Sequence, residues 1–303
     1  MDVGTLISGT RSEILDDTEL PYGWSDSDLI SGLNQSLRKM YKACMVKVDQ
    51  ETTAITQIKL LSNLGIYDLD SRVLKIKNAR FSVHVTYAPL EIETEAYLDQ
   101  TITNWRTTTG VPRKCCPSVA SGRLSIYPKF DDTYEFTGTF TFTGSTKTVL
   151  QASSNFSGLV VGDEVNVGGT DDNDGYLTVA TVGTTSFTVN EAITNESHSA
   201  TIRKVEDILI MTVLRLPITV FTVNDIANAT DISDLRFDYH EDLMYGIGEL
   251  AYLKADSQTF DLAQSKICGS EFARRLKQAR IDTILLNKPD RSMKIRSGTG
   301  IGY

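Results

Sequence analysis

Between Tyr134 and Val205 the chain changes character: 72 residues hold 14 Thr, 7 Ser and 8 Gly, and no Pro, Cys, Met or Trp. Threonine is branched at Cβ, which lowers its helix propensity and suits it to a pleated, half-buried surface, while glycine punctuates turns. Short alternating runs such as "EFTGTFTFT" and "YLTVATV" therefore predict a small all-β module, a barrel or sandwich of about six strands. Eight acids against three bases give the segment −5 of the chain's net −9.

Inside this module, "VVGDEVNVGGTDDNDGYLTV" (160–179) crowds aspartates around glycines in a way that resembles a calcium loop. A twelve-residue calcium loop needs glycine at its sixth position, oxygen ligands at the odd positions before it and a bidentate carboxylate at the twelfth. With Gly175 sixth, Asp174 and Asp172 fall at the fifth and third positions, but threonines stand at the first (Thr170) and twelfth (Thr181). Asp172 and Asp174 are thus weak calcium candidates. The favoured reading is a β-hairpin: Val165 and Val167 lie on one strand, Leu177 and Val179 on the other, and Asn-Asp-Gly chemistry makes the connection.

The flanking sequence has a different periodicity. "SDSDLISGLNQSLRKMYKACMVKV" places Leu29, Leu33, Leu37, Met40, Cys44 and Val48 at helical spacing. Ser25 and Asp28 resemble a capping box, and Pro21 and Trp24 a staple onto the helix start. "TAITQIKLL" and "RVLKIKNARFSVHVTY" read as strands about a turn-like "SNLGIYDLD", and "TEAYLDQTITNWRTTTG" as a short helix ended by Gly110 with Pro112 just beyond it. "GRLSIYPKFDD" and "DILIMTVLRLPI" read as further strands. Apolar spacing at Leu243, Ile247, Leu250 and Leu253, and again at Phe260, Ala263, Ile267, Phe272, Leu276 and Ala279, predicts two antiparallel C-terminal helices. The segment 287–303 has four bases, one acid and little periodicity, so it is expected to be an extended arm that orders on a partner. The expected fold class is α+β: an antiparallel helical bundle with β-hairpin strands, formed by residues 1–133 and 206–286, and a small all-β domain inserted at 134–205.

A chain of 303 residues is long enough for about two domains. The sequence has no apolar run of membrane-spanning length, and its acidic beginning lacks the layout of a signal peptide, so a cytosolic protein without membrane association is expected. Four scattered cysteines, without a C-x-x-C pair, are expected to be reduced thiols, and no cofactor is expected. The acidic balance argues against a dedicated phosphate-binding surface, so DNA is expected to pass and not to be held. No nucleophile elbow is present, His240 beside Glu241 and Asp242 reads as a helix-start residue, and the carboxylates of "PLEIETEAYLD" read as caps. An enzyme is not expected.

The order of several motifs resembles the adaptor, or head-to-tail connector, proteins of tailed bacteriophages. "GWSDSDLISGLNQSLRKMY" with Trp24 is similar to that family's opening helix. Asp99, Trp105, Arg106, Gly110 and Pro112 match its middle signature, followed by "LSIYPKFDD", "LRLPI" and "GELAYLKADSQTFDLAQSKICGSEF". The resemblance spans about residues 15–133 and 206–286 and skips the β module, which itself resembles decorations on phage tail proteins. It implies a homo-oligomeric ring, a dodecamer, made in the host cytoplasm and placed at the head-tail junction of the virion. The ring would sit between the portal protein and a tail tube or nozzle protein, with DNA passing through its channel unbound. The arm would dock the portal through Lys288, Arg291, Lys294, Ile295, Arg296 and Tyr303. The competing expectation is a tail-decorating or receptor-binding virion protein whose β domain holds a glycan.

Overall fold

The computed structural model describes residues 1–44, 47–82, 89–232, 234–254 and 259–286. Its helices are α1 Val3–Gly9, α2 Asp26–Cys44, α3 Thr53–Thr56, α4 Glu95–Thr101, α5 Asn224–Ala227, α6 Asp242–Ala251 and α7 Leu262–Leu286. Its strands are β1 Val48–Asp49, β2 Gln57–Leu61, β3 Ile66–Asp68, β4 Val73–Phe81, β5 Glu91–Ile92, β6 Lys114–Ser118, β7 Arg123–Tyr127, β8 Glu135–Thr143, β9 Thr148–Leu150, β10 Glu164–Gly168, β11 Gly175–Val182, β12 Ser186–Val189 and β13 Glu196–Arg215. The chain divides into two units: Met1–Lys47 with the chain from Leu216 on, and Val48–Arg215.

The expected helical bundle with a small inserted β domain does not form, because the chain is mostly β. Seven of the thirteen described strands precede residue 134. The helix expected to run to Gly110 stops at Thr101, since Ile102 is extended and Asn104 adopts a positive φ. The helix expected to reach Val48 ends at Cys44, and Val48 begins β1. The supposed turn "SNLGIYDLD" contains β3, and β5 and β6 occupy stretches with no periodic signal.

In the β unit, the twenty-residue strand β13 is the spine. Its first half pairs with β8, from Glu196↔Phe142 to Arg203↔Glu135, and with β10 through Val165↔Lys204. The pairings β10–β11, β11–β12, β12–β9 and β9–β8 complete a closed ring of six strands. Period-two alternation turns Val165, Val167, Val179, Phe187, Phe140 and Ile202 into its interior, all nearly fully buried. Phe156 plugs this core, with its ring 4.7 Å from Phe136 and 5.1 Å from Phe187. A register shift between Val205 and Asp207 then changes which parity faces inward. Ala200 and Ile202 serve the barrel, while Leu209, Met211 and Val213 join a second core with Ile55, Leu60 and Ile76. There β13 pairs with β2, β4 and β1. A separate sheet, ordered β3-β7-β6-β5, turns Leu124 and Ile126 to this second core and its other face towards Leu98 and Trp105.

The helical unit is built on α2. Leu29, Leu33, Leu37 and Met40 bury against Leu243 and Ile247 of α6 and Phe272 of α7. Gly246 permits the close approach: a Cβ there would stand 2.5 Å from Ser36 Oγ and 2.9 Å from a ring carbon of Phe272.

Candidate functional site

The two halves of the helical unit's motif pattern meet at Trp24. Its buried indole donates from Nε1 to the carbonyl of Ala251 (3.0 Å) and stands edge-on to Tyr252, with centroids 5.5 Å apart. Lys254 reaches back to Asp28, 2.9 Å away, on the first turn of α2. Behind the indole, buried Arg11 donates to the Trp24 carbonyl (2.8 Å), pairs with Asp17 and reaches Asp26 at 2.8 Å. Asp17 also accepts from the Gly23 amide, so the segment entering α2 is pinned by charge-assisted bonds.

In the β unit, Asp99, Trp105 and Arg106 form one cluster. Asp99 on α4 accepts from Trp105 Nε1 (2.8 Å) and from Arg106 (2.5 Å), whose guanidinium lies 4.3 Å from the indole centroid. The Arg106 contact, and after it the indole N–H, holds the Asp99 carboxyl below its usual range. Gly110 adopts φ +145°, a conformation side chains disfavour, while its amide donates to the Lys129 carbonyl (2.8 Å); Pro112 is buried. These residues thus brace a loop against the sheet.

That loop roofs a cavity of about 370 Å³ over the outward face of β3, β7 and β6. Register places Ser125 beside Ile66 and Cys116, and Arg123 beside Asp68 and Ser118. Arg106, Arg123 and Lys129 line the cavity together with Ser118, Ser121 and Glu95. Ser125, also in the lining, donates to Glu95 Oε1 (2.5 Å), so this carboxylate is more than a solvated helix cap. Lys129 donates to the side-chain and backbone oxygens of Asn63, both neutral. Arg123 faces Asp68 across the strands but makes no ion pair or hydrogen bond among the described residues. In sequence this constellation left one trace, the alternation of "RLSIY", which sets Arg123 and Ser125 on a common face of β7.

Asp172 and Asp174 do not converge with other ligands. Asp174 accepts from the Thr170 amide and hydroxyl (both 2.7 Å), which lower its pKa, while Asp172 is exposed. Asn173 between them is buried and bonds the Thr194 carbonyl, tying down the hairpin tip. Among the described residues, no group of three or more His, Cys, Asp or Glu side chains is arranged to hold a metal. His240 is buried with Nε2 2.9 Å from the Leu235 carbonyl, and burial lowers its pKa. The four cysteines are free and buried; burial pushes the Cys115 thiol up to about 12 and the Cys44 and Cys116 thiols up to about 11. An ion pair that sequence reasoning missed, Arg215 with Asp49, is buried at the end of β13. Its signal was an arginine within the apolar run "ILIMTVLRL", which demands a buried acid.

The arm residues Lys288, Arg291, Lys294, Ile295, Arg296 and Tyr303 lie outside the described residues. Among those described, no helix is long and apolar enough to cross a membrane. No protein-family model matches the chain, and no curated protein matches it in sequence.

Proposed function

We propose that the chain is a structural adaptor of a phage virion, forming a ring that docks beneath the portal, links head to tail and lines part of the DNA channel. The observation that carries this reading is the joint at Trp24. "GWSDSDL" and "ELAYLK", the opening and closing motifs of the resemblance, lie more than 200 residues apart in sequence, yet are fastened by Trp24 to Ala251 and by Asp28 to Lys254. The same pattern's middle signature forms the Asp99–Trp105–Arg106 brace. Signature residues used as braces suit a protein whose task is to hold a shape. α7 leaves Ile267, Ile281 and Ile284 each more than half exposed, apolar surface that a neighbouring subunit would cover. The net charge of −9 suits a channel along which DNA slides.

The test is direct. Purified protein is mixed with portal rings and examined by electron microscopy. A second ring stacked on the portal is expected, and portals that remain bare would end the proposal. Deleting residues 287–303 is expected to abolish stacking while circular dichroism of the remainder stays unchanged.

A further inference from the structure

Binding by the roofed cavity of the β unit goes beyond a scaffolding role. Of the three cations lining it, Arg106 is neutralised by Asp99. Lys129 is bonded only to neutral oxygens of Asn63, and Arg123 has no partner among the described residues. The one acid of the lining, Glu95, is engaged by Ser125 and lies 4.0 Å from Arg106. Two cations without acid partners therefore share a concave space in a chain that is acidic overall, and a concavity focuses their field. Hydroxyl groups stand beside them, Ser118 and Ser121, whose Oγ atoms are 2.8 Å apart. A planar guanidinium with an ammonium and hydroxyls is the donor set that suits phosphate oxygens. The space of about 370 Å³ falls within the range of small-molecule sites and exceeds what a bare phosphate fills. Trp105, Ile66 and Leu64 supply apolar wall for an organic body.

We infer that this cavity binds a phosphate monoester, with Arg123, Lys129 and Ser118 taking the phosphate oxygens and the organic part resting against Ile66 and Trp105. The monoester has two sources of shared chemistry, a free small organic phosphate or the 5′-phosphate at a nucleic-acid end.

Isothermal titration calorimetry of the full chain tests this with four probes: glucose 6-phosphate, glucose, and one short oligonucleotide with and without a 5′-phosphate. Saturable binding is expected for a phosphorylated probe and not for its unphosphorylated counterpart. Glucose 6-phosphate binding assigns a free ester, and binding of the 5′-phosphorylated strand alone assigns a nucleic-acid end. Arg123→Ala and Lys129→Ala are each expected to weaken binding about tenfold or more, since each removes a charge-assisted contact. Arg123 is exposed, so Arg123→Ala keeps the fold, which circular dichroism verifies. Equal binding of phosphorylated and unphosphorylated probes, no saturation by either phosphorylated probe at about 10 mM (an affinity weaker than about −3 kcal/mol), or undiminished binding by the double variant would each overturn the assignment.

Discussion

Removing Asp49 from the Asp49–Arg215 pair should cost at least as much as removing both members. The two side chains are 4% and 2% exposed and meet at the same end of the β unit's spine: Asp49 on β1, in register with Val213, and Arg215 at the last position of β13. Asp49 also accepts from the Glu51 amide (2.9 Å), the Thr52 amide (3.0 Å) and the Thr52 hydroxyl (2.7 Å). Asp49→Ala takes the Asp49 carboxylate from a buried guanidinium, so a loss of about 3–5 kcal/mol is expected. Arg215→Met leaves a carboxylate that keeps three donors, and about 1–3 kcal/mol is expected. The double variant removes the guanidinium together with the carboxylate and should be no less stable than Asp49→Ala alone, which implies coupling of about 1–3 kcal/mol. Urea unfolding followed by circular dichroism, with m-values compared across the four proteins, supplies the numbers. Additive losses would refute the reasoning, because they would mean that neither charge depends on the other. A pH series adds a second check. Burial works to raise the Asp49 carboxyl, but the Thr52 hydroxyl and amide, Arg215 and the Glu51 amide outweigh it and hold it well below the usual carboxylate value. The folded state thus binds this proton less readily than the unfolded chain, whose carboxyl titrates near pH 4. Its contribution is complete above about pH 4 and is lost as pH falls further, and Asp49→Asn should remove that part of the slope.

Phe156→Ala empties the centre of the barrel and should cost about 3–5 kcal/mol by denaturant midpoint. Gly246→Ala should destabilise the helical unit by about 1–3 kcal/mol in the same assay, since its methyl would collide with Ser36 and Phe272 where α6 meets α2. His240 has a lowered folded pKa, through burial first, so stability should be complete above about pH 6.5 and fall as pH drops below it; His240→Gln should flatten the melting temperature across that window. Millimolar calcium should leave the melting temperature of the full chain unchanged, because Asp174 is spent on Thr170 and Asp172 points to solvent; a steep rise would restore the metal reading.

What the sequence disclosed and what it hid follow from the range of each signal. α2 and α6 were legible because their apolar stripes persist over several turns, and the β10–β11 hairpin because alternation and turn chemistry agree within twenty residues; α7 forms, but of its expected stripe Ala263 and Ile267 are exposed while Phe272 and Ala279 are buried. The sequence divides β13 at Val205 because the composition changes there, and the bulge flips the parity at the same point: Ala200 and Ile202 are even, and Leu209, Met211 and Val213 are odd. A periodicity argument breaks the strand at that point, and with it the fold class. The short strands β1, β3 and β5 hold two or three residues each and owe their existence to distant partners. The Asp99, Trp105 and Arg106 cluster was visible as a motif, but the cavity beneath it was not. Arg123 and Lys129 join it only through sheet register and loop closure.

The shared strand also sets an order of events. β2 and β4 leave the ribosome more than a hundred residues ahead of the segment of β13 they pair with, so their ladders are among the slowest contacts to close. The hairpins β8–β9, β10–β11 and β11–β12 join neighbours in sequence and can zip as they emerge. Once they capture residues 196–204, the rest of the same strand is delivered already extended to β2 and β4. The barrel thereby acts as an internal template, and a lesion in its core such as Phe156→Ala should slow maturation of a sheet that Phe156 never touches.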